Sequence, residues 1–205
     1  MIVLYTYGSF NGRQVSIVLE ELDIDYVVHK INLPNGEHNT PSFRQINPSG
    51  RIPVIIDLSV SADKPLILSQ TSAILIYLAE KHGKLLTDDV IQRARTLEWL
   101  AFHATDQSPA LFNEFYLNSL VEIPQLEASS LLRKRTLDLY QYFDQQLEKT
   151  IYLAGDNYSI ADIAAYPAIS SIINDLSQCG YLNIYRWFKL LSERPAVMQG
   201  MRVPV

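Results

Sequence analysis

The first 33 residues predict a strand, a helix and a second strand in immediate succession. Ile2–Thr6 is rich in β-branched and aromatic residues, and Tyr26–Leu33 alternates in polarity, as strands do. Apolar side chains between them recur at the spacing of one helix face: Val15, Val18, Leu19 and Leu22. Two strands joined by a helix pair in parallel through a right-handed crossover. This segment therefore predicts a parallel βαβ unit and places the chain among α/β folds.

The next fifty residues extend this unit. Thr40-Pro41 reads as an N-cap followed by proline at the first helical position. Pro53–Asp57 and Leu66–Leu68 are short apolar strands with a polar connection, which is typical of a hairpin. Ala73–Lys81 is apolar nearly all round and predicts a buried helix. The predicted order β-α-β-α-β-β-α ends near His82-Gly83.

The chain then changes character and predicts helices only. Lys84–Val90 reads as a linker, and a long amphipathic helix follows with apolar positions three or four residues apart: Leu132, Thr136, Leu139, Phe143 and Leu147. Ser159 and Asp162 have the spacing of a capping box at a later helix start. We therefore predict an α/β domain over residues 1–82 and an all-α domain over residues 88–205.

Composition excludes several classes of protein. With 48% hydrophobic and 19% charged residues, the 205-residue chain is not intrinsically disordered. The net charge is −5 and no basic run occurs, so a nucleic-acid surface is not expected. The single cysteine, Cys179, forms no internal disulfide and no cysteine-based zinc site, and we expect it to be buried and inert. No stretch predicts a signal peptide or a membrane span, so a cytoplasmic location is expected.

Three polar loops are expected to meet at one edge of the predicted sheet. Ser9-Phe10-Asn11 precedes the first helix, and the free amides of a helix start favour an anion or a thiolate. Asn47–Pro53 enters a strand through proline, which fits either a cis Ile52-Pro53 bond or an ordinary turn. Ser69–Ser72 lies at the start of the buried helix and has more hydroxyl and amide groups than a helix cap needs. This excess of polar groups is typical of a site that binds a carboxylate. Simple helix capping also accounts for the first and third loops.

Motifs in these loops resemble those of cytosolic glutathione transferases. They follow in the family's order over almost the whole chain: Leu4-Tyr5, Asn11-Gly12, Leu19-Glu20-Glu21-Leu22, Asn47–Pro53, Gln70-Thr71-Ser72-Ala73-Ile74, Ala154-Gly155-Asp156 and Tyr158–Ala164. The bacterial Nu class and the yeast nitrogen-regulator-like members are the most similar in Asn11-Gly12 and Gly36-Glu37-His38. The resemblance implies a thioredoxin-like N-terminal domain that binds glutathione, an all-α C-terminal domain with the electrophile pocket, and a homodimer.

The same resemblance implies roles for individual residues. Ile52 would pair its backbone with the cysteinyl part of glutathione, beside a cis Pro53. Gln70 and Thr71 would hold the γ-glutamyl end, where many family members carry glutamate and serine. His38 and Arg51 occupy positions that reach the glycyl carboxylate in related classes. Glutathione is then a co-substrate, and no metal or other cofactor is implied.

The thiol-activating residue is predicted within the first loop. A thiol reacts as its thiolate, so its pKa must fall below the usual value near 8.5. Ser9 and Asn11 match the serine/threonine and asparagine positions of the Nu-like classes. Tyr5 and Tyr7 are alternative donors, because Tyr5 stands near the hydroxyl of the tyrosine-type classes. No cysteine lies in the first domain, so a mixed disulfide with the protein is unavailable there.

The resemblance implies an enzyme that conjugates glutathione thiolate to small electrophiles, as in cytoplasmic detoxification. A glutathione-dependent disulfide or peroxide reductase without a protein cysteine is an alternative reading. A third reading is a transferase-like protein that binds a macromolecular partner and has little activity.

Overall fold

The computed structural model describes residues 1–61 and 63–204. The chain forms two compact units. The first comprises Met1–Leu86 together with Ser192–Val205, and the second comprises Thr87–Leu191. The segment after residue 191 therefore belongs with the first unit, whereas the sequence predicts it to be part of the helical domain over residues 88–205.

The first unit is built on a four-stranded mixed sheet. Its strands are β1 (Ile2–Thr6), β2 (Tyr26–Lys30), β3 (Val54–Asp57) and β4 (Leu66–Ser69). Their order across the sheet is β2-β1-β3-β4, with β1 and β2 parallel and the other two pairs antiparallel. The βαβ unit and the hairpin predicted from the sequence are confirmed.

Helices flank this sheet. They are α1 (Phe10–Glu21), α2 (Pro41–Ile46), α3 (Thr71–His82) and the C-terminal α9 (Pro195–Gly200), with a 3₁₀ turn over Glu37–Asn39. Thr40 caps α2 and Pro41 occupies its first position, as predicted. One face of α3 is buried, through Ile74, Leu75, Leu78 and Ala79. Ala73 and Glu80 are exposed, so α3 is amphipathic rather than buried all round as its composition suggested.

The C-terminal segment is fastened along α1. The fully buried Ser16 hydroxyl donates to the Gly200 carbonyl over 2.7 Å. A Cβ atom on Gly200 would lie 2.6 Å from the Ile17 Cα, so only glycine allows this crossing. Arg194 donates through Nε and Nη2 to both carboxylate oxygens of Glu21, each over 2.7 Å. Paired hydrogen bonds of this kind fix orientation as well as distance.

The second unit is helical. Its helices are α4 (Val90–Phe102), α5 (Ser108–Phe115), α6 (Leu126–Lys149), α7 (Ile160–Gln178) and α8 (Leu182–Ser192). Single π turns over His103–Gln107 and Tyr116–Leu120 flank α5. The thioredoxin-like domain followed by an all-helical one, predicted from the sequence, is confirmed. Over residues 1–61 and 63–204, every helix is too short or too polar to cross a membrane.

A buried carboxylate organises the start of α7. Asp162 is fully buried and accepts hydrogen bonds from the Leu153 amide at 3.0 Å, the Ser159 amide at 3.0 Å and the Trp187 Nε1 at 2.8 Å. Burial raises the pKa of Asp162, although these hydrogen bonds oppose the rise. The capping box predicted from Ser159 and Asp162 is confirmed, and it also ties α7 to α8 through Trp187.

The expectation that Cys179 is buried is wrong. Cys179 is the C-cap residue of α7, and its side chain is exposed. The chain turns sharply away from the helix directly afterwards, at Gly180 with φ 82°. The apolar stripe of α7 therefore ends before it reaches this residue.

Candidate functional site

The sheet register brings the predicted loops to one end of the sheet. Tyr5 of β1 lies opposite Val54 of β3, and Val54 lies opposite Ser69 of β4. Tyr5 also pairs with His29 near the end of β2. The loops that follow β1, β2 and β4 and the loop that precedes β3 therefore all meet the sheet at this end. We call this the loop end of the sheet.

Ser9 is the N-cap of α1. Its hydroxyl oxygen accepts a hydrogen bond from the Gly12 amide over 3.1 Å. A hydroxyl carries one proton besides its acceptor lone pairs, so capping leaves that proton available to a ligand. No acidic residue lies in the first turn of α1, so the positive end of the helix dipole is not neutralised there. The capping role and a donor role toward an anion are compatible.

Asn11 is exposed in the first turn of α1 and is held from one side. Its Oδ1 accepts a hydrogen bond from Gln14 Nε2 over 3.2 Å. Among residues 1–61 and 63–204, no acceptor lies within hydrogen-bonding distance of Asn11 Nδ2. The two N–H donors of Asn11 therefore have no acceptor in the described part of the chain.

Tyr5 has a packing role in this structure. Its ring stacks on His29 with 4.9 Å between centroids and lies 6.2 Å from the Phe43 ring of α2. Strand residues alternate between faces, and the neighbouring Leu4 is fully buried on the other face. These contacts favour a structural role for Tyr5 over thiol activation.

The loop before β3 exposes backbone groups. The Ile52-Pro53 bond is cis, as predicted. Asn47 Nδ2 donates to the Arg51 carbonyl over 2.7 Å and shapes the loop. Neither the amide nor the carbonyl of Ile52 finds a hydrogen-bond partner in the described chain. Unpaired backbone groups of this kind can pair with a peptide-like ligand.

The start of α3 presents an anion-binding backbone. Gln70 has φ 72° and ψ 113°, a conformation that residues other than glycine rarely adopt. Such strain persists where surrounding structure requires it, often at a ligand site. The Thr71 and Ser72 amides belong to the first turn, where helices lack internal acceptors and no acidic residue stands. The strained Gln70 thus precedes a helix end suited to a carboxylate.

His38 lies near the Asn47–Pro53 loop, since a Cβ on Gly50 would be 3.0 Å from the His38 carbonyl. Arg44 Nη2 donates to Asn39 Oδ1 over 2.9 Å, which leaves Asn39 Nδ2 to donate to His38 Nε2 over 2.9 Å. A neutral imidazole with an accepting Nε2 carries its proton on Nδ1. That Nδ1 is buried and has no protein partner, so it is an available donor. The Arg51 side chain is exposed nearby in sequence.

Three residues of this loop end were not predicted from the sequence: Gln14, Asn39 and Arg44. Gln14 and Asn39 each make a side-chain hydrogen bond to a predicted site residue, and Arg44 makes one to Asn39. The spacing of Gln14, three positions after Asn11 on one helix, is the one signal that pointed to such contact. Nothing in the sequence distinguishes Asn39 or Arg44 from other polar loop and helix residues.

The arrangement suits an anionic, peptide-like ligand. Hydroxyl, amide and imidazole donors and the amides of two helix ends converge at one end of the sheet. Negative charge on a ligand is stabilised by such donors and by the helix dipoles. In the part of the chain described, no cluster of three histidine, cysteine, aspartate or glutamate residues could hold a metal ion.

Comparison with known proteins gives consistent matches. Residues 8–81 match the family model for the N-terminal domain of glutathione S-transferases, and residues 110–195 match that for the C-terminal domain. Two proteins of Escherichia coli K12 are named disulfide-bond oxidoreductases. YfcG is 34% identical to this chain, and the match covers 98% of this chain and 94% of YfcG. YghU is 33% identical, and the match covers 96% of this chain and 73% of YghU. A Pseudomonas putida glutathione transferase, solved with one glutathione disulfide per subunit, superposes with a TM-score of 0.91 at 30% identity, covering 100% of this chain and 92% of that one.

Proposed function

The chain belongs to the glutathione S-transferase family, and we propose that it reduces small disulfides with glutathione as the only thiol in the reaction. One observation carries the proposal: the start of α1 presents the Ser9 hydroxyl and the Asn11 amide as unused donors in a unit without cysteine. These donors can stabilise a thiolate that the ligand brings. Two relatives at 34% and 33% identity are named disulfide-bond oxidoreductases, which supports the choice of a disulfide as the electrophile.

Glutathione would be held by backbone groups and charged ends. We assign the cysteinyl backbone to the free amide and carbonyl of Ile52, and the γ-glutamyl carboxylate to the α3 start at Gln70 and Thr71. His38 Nδ1 and the Arg51 guanidinium would take the glycyl carboxylate. The observations that support these assignments are the unpartnered Ile52 backbone, the strained Gln70 and the buried, available His38 Nδ1.

The proposed reaction proceeds in two displacements. Ser9 and Asn11 stabilise the glutathione thiolate, which attacks one sulfur of the substrate disulfide. A new S–S bond forms as the old one breaks, and the released thiolate takes up a proton. A second glutathione thiolate then attacks the mixed disulfide, giving glutathione disulfide and the second substrate thiol. Two glutathione molecules are oxidised and one disulfide is reduced, with no protein sulfur involved.

Conjugation of glutathione to an electrophilic carbon is the second candidate. The first step, thiolate formation beside Ser9 and Asn11, is the same, and the match to glutathione S-transferase domain models along 8–81 and 110–195 favours it. The thiolate would displace a leaving group from carbon, which gives the thioether and the departing anion.

Calorimetric titration with glutathione and with glutathione disulfide tests the proposal. We expect both to bind, and turnover of a hydroxyethyl disulfide with glutathione to exceed conjugation of a chlorodinitrobenzene. The matched control is Cys179→Ser, since Cys179 is the sole protein thiol and is exposed. We expect this variant to retain full disulfide turnover.

Other outcomes would redirect the assignment. Conjugation without disulfide turnover would support the transferase reading. Loss of disulfide turnover in Cys179→Ser would contradict the role of glutathione as the only thiol. Absence of binding of either form would leave the non-catalytic, partner-binding reading.

We also expect a homodimer in the cytoplasm, where a thiol co-substrate is kept reduced. The dimer rests on the family resemblance. Light scattering at micromolar concentration should report twice the 23.3 kDa mass of one chain. A single species at the mass of one chain would contradict the expectation.

A further inference from the structure

We propose that Gln14 is a positioning residue that fixes the amide of Asn11 with its N–H donors toward the glutathione thiolate. The inference rests on the proposed function, because it assumes that Asn11 meets the sulfur. It adds a residue that acts on the thiolate only through Asn11.

The exposed side-chain amide of Asn11 is hydrogen-bonded to the buried side-chain amide of Gln14. Gln14 lies one turn after Asn11 on α1, and 2% of it is exposed. Its Nε2 donates to Asn11 Oδ1 over 3.2 Å. The neighbouring Val15 and Val18 are fully buried, so this stretch of the helix is held by the core of the first unit. A nearly fully buried side chain therefore donates to one at the surface.

The chemistry requires this one orientation. The asparagine amide has an acceptor on one edge and two donors on the other, and a rotation of 180° exchanges them. With Oδ1 held by Gln14, Nδ2 remains for an anion. In the rotated amide, the two NH₂ groups of Asn11 and Gln14 would face each other and Oδ1 would face the sulfur. Two donors cannot pair, and an oxygen lone pair repels a thiolate, so Gln14 disfavours the rotated state.

Ser9 is oriented independently of this pair. Its hydroxyl oxygen is fixed by the Gly12 amide over 3.1 Å, a contact that does not involve Gln14. A change at Gln14 should therefore weaken the contribution of Asn11 and leave that of Ser9 intact. This separation makes the inference testable by combining variants.

The test measures the fraction of bound glutathione that is thiolate, by its ultraviolet absorbance as a function of pH. Gln14→Met keeps the length of the side chain and removes the donor, so Asn11 samples both orientations. We expect the pKa of the bound thiol to rise by about one, which lowers the ratio of thiolate to thiol about tenfold at any given pH. Gln14→Glu should lose at least as much, because its carboxylate accepts from Nδ2 and turns Oδ1 toward the sulfur. Glutathione affinity should change little, since neither variant alters the Ile52 or Gln70 contacts.

A variant pair distinguishes positioning from general damage. In an Asn11→Ala background, Gln14→Met should have no further effect on the thiolate fraction. Val18→Ala, which removes buried methyl groups from the same helix, should lower stability without changing the thiolate fraction. A shift of equal size from Gln14→Met with and without Asn11 would overturn the inference. If Asn11→Ala lowers the thiolate fraction and Gln14→Met does not, the role of Gln14 is contradicted while the proposed function stands. If the wild-type protein binds no glutathione, the proposed function itself is contradicted.

Discussion

Asn11→Ala and Ser9→Ala are each expected to lower turnover with glutathione by about 10- to 100-fold and to raise the pKa of the bound thiol. A hydrogen bond to a charged group contributes roughly 1.5–3 kcal/mol, which corresponds to that range of rates. Both side chains keep donors available at the start of α1. The effect should shrink at high pH, where the thiol ionises without help.

Matched variants distinguish the role of Ser9 as a hydrogen-bond donor from its role as the N-cap of α1. Ser9→Thr retains both the hydroxyl donor and the N-cap of α1, so we expect activity near that of the wild type. Tyr5→Phe should leave turnover and the thiol pKa nearly unchanged, because its ring packs on His29 and Phe43. Loss of the thiolate absorbance in Tyr5→Phe, with Ser9→Ala unaffected, would identify a tyrosine-type enzyme instead.

Asp162→Ala is expected to lower the free energy of unfolding of the helical unit by about 3–5 kcal/mol. The carboxylate is fully buried and accepts from the Leu153 amide, the Ser159 amide and the Trp187 indole. Its removal leaves buried donors without partners, each costing about 1–3 kcal/mol. Urea titration followed by circular dichroism and by tryptophan fluorescence would measure the loss, since both tryptophans, Trp99 and Trp187, lie in this unit.

Two further variants calibrate this result. Asp138→Ala removes an exposed carboxylate from α6 of the same unit and should change stability by less than about 0.5 kcal/mol. Asp162→Asn keeps one acceptor oxygen but places an NH₂ group among donors, so its loss should be intermediate. A change below about 1 kcal/mol in Asp162→Ala would show that water replaces the carboxylate at little cost.

The parts of the fold that sequence predicts well are those determined by local chemistry. Thr40-Pro41 and Ser159 with Asp162 are helix starts whose hydrogen bonds close within three residues, and both appear in the structure. The hydrophobic spacing of α6 likewise predicts its buried face, including Phe143 and Leu147. The capping preferences and the helical period are properties of a few neighbouring residues, so one sequence suffices to recognise them.

Features that depend on residues far apart in the sequence, or on the rotation of a side chain, were not predictable in this way. The π turn over His103–Gln107 inserts a residue into the helical register beside a buried network, in which Gln107 donates to Tyr140. Burial lowers the pKa of His103 to about 4, with the hydrogen bond to Gln107 opposing this shift. The pairing of Glu21 with Arg194 spans 173 residues, and no local pattern announces it.

The candidate site shows the same division. The loops containing Ser9, Ile52 and Gln70 could be assigned to one sheet end from strand order alone. Which edge of the Asn11 amide faces outward, and which nitrogen of His38 bears the proton, depend on Gln14 and Asn39. These are choices between orientations of nearly equal intrinsic energy, and single side-chain hydrogen bonds that residue spacing does not specify decide them.

The attachment of the C-terminal segment to α1 also fixes the order in which the protein can be completed during synthesis. The Ser16–Gly200 and Glu21–Arg194 contacts join α1 to residues that are synthesised after the whole helical unit. The helical unit, Thr87–Leu191, is synthesised between the two parts of the first unit. The first unit therefore acquires these contacts only after the helical unit has been synthesised, so a nascent chain that has emerged through residue 191 still lacks the residues that fasten α1.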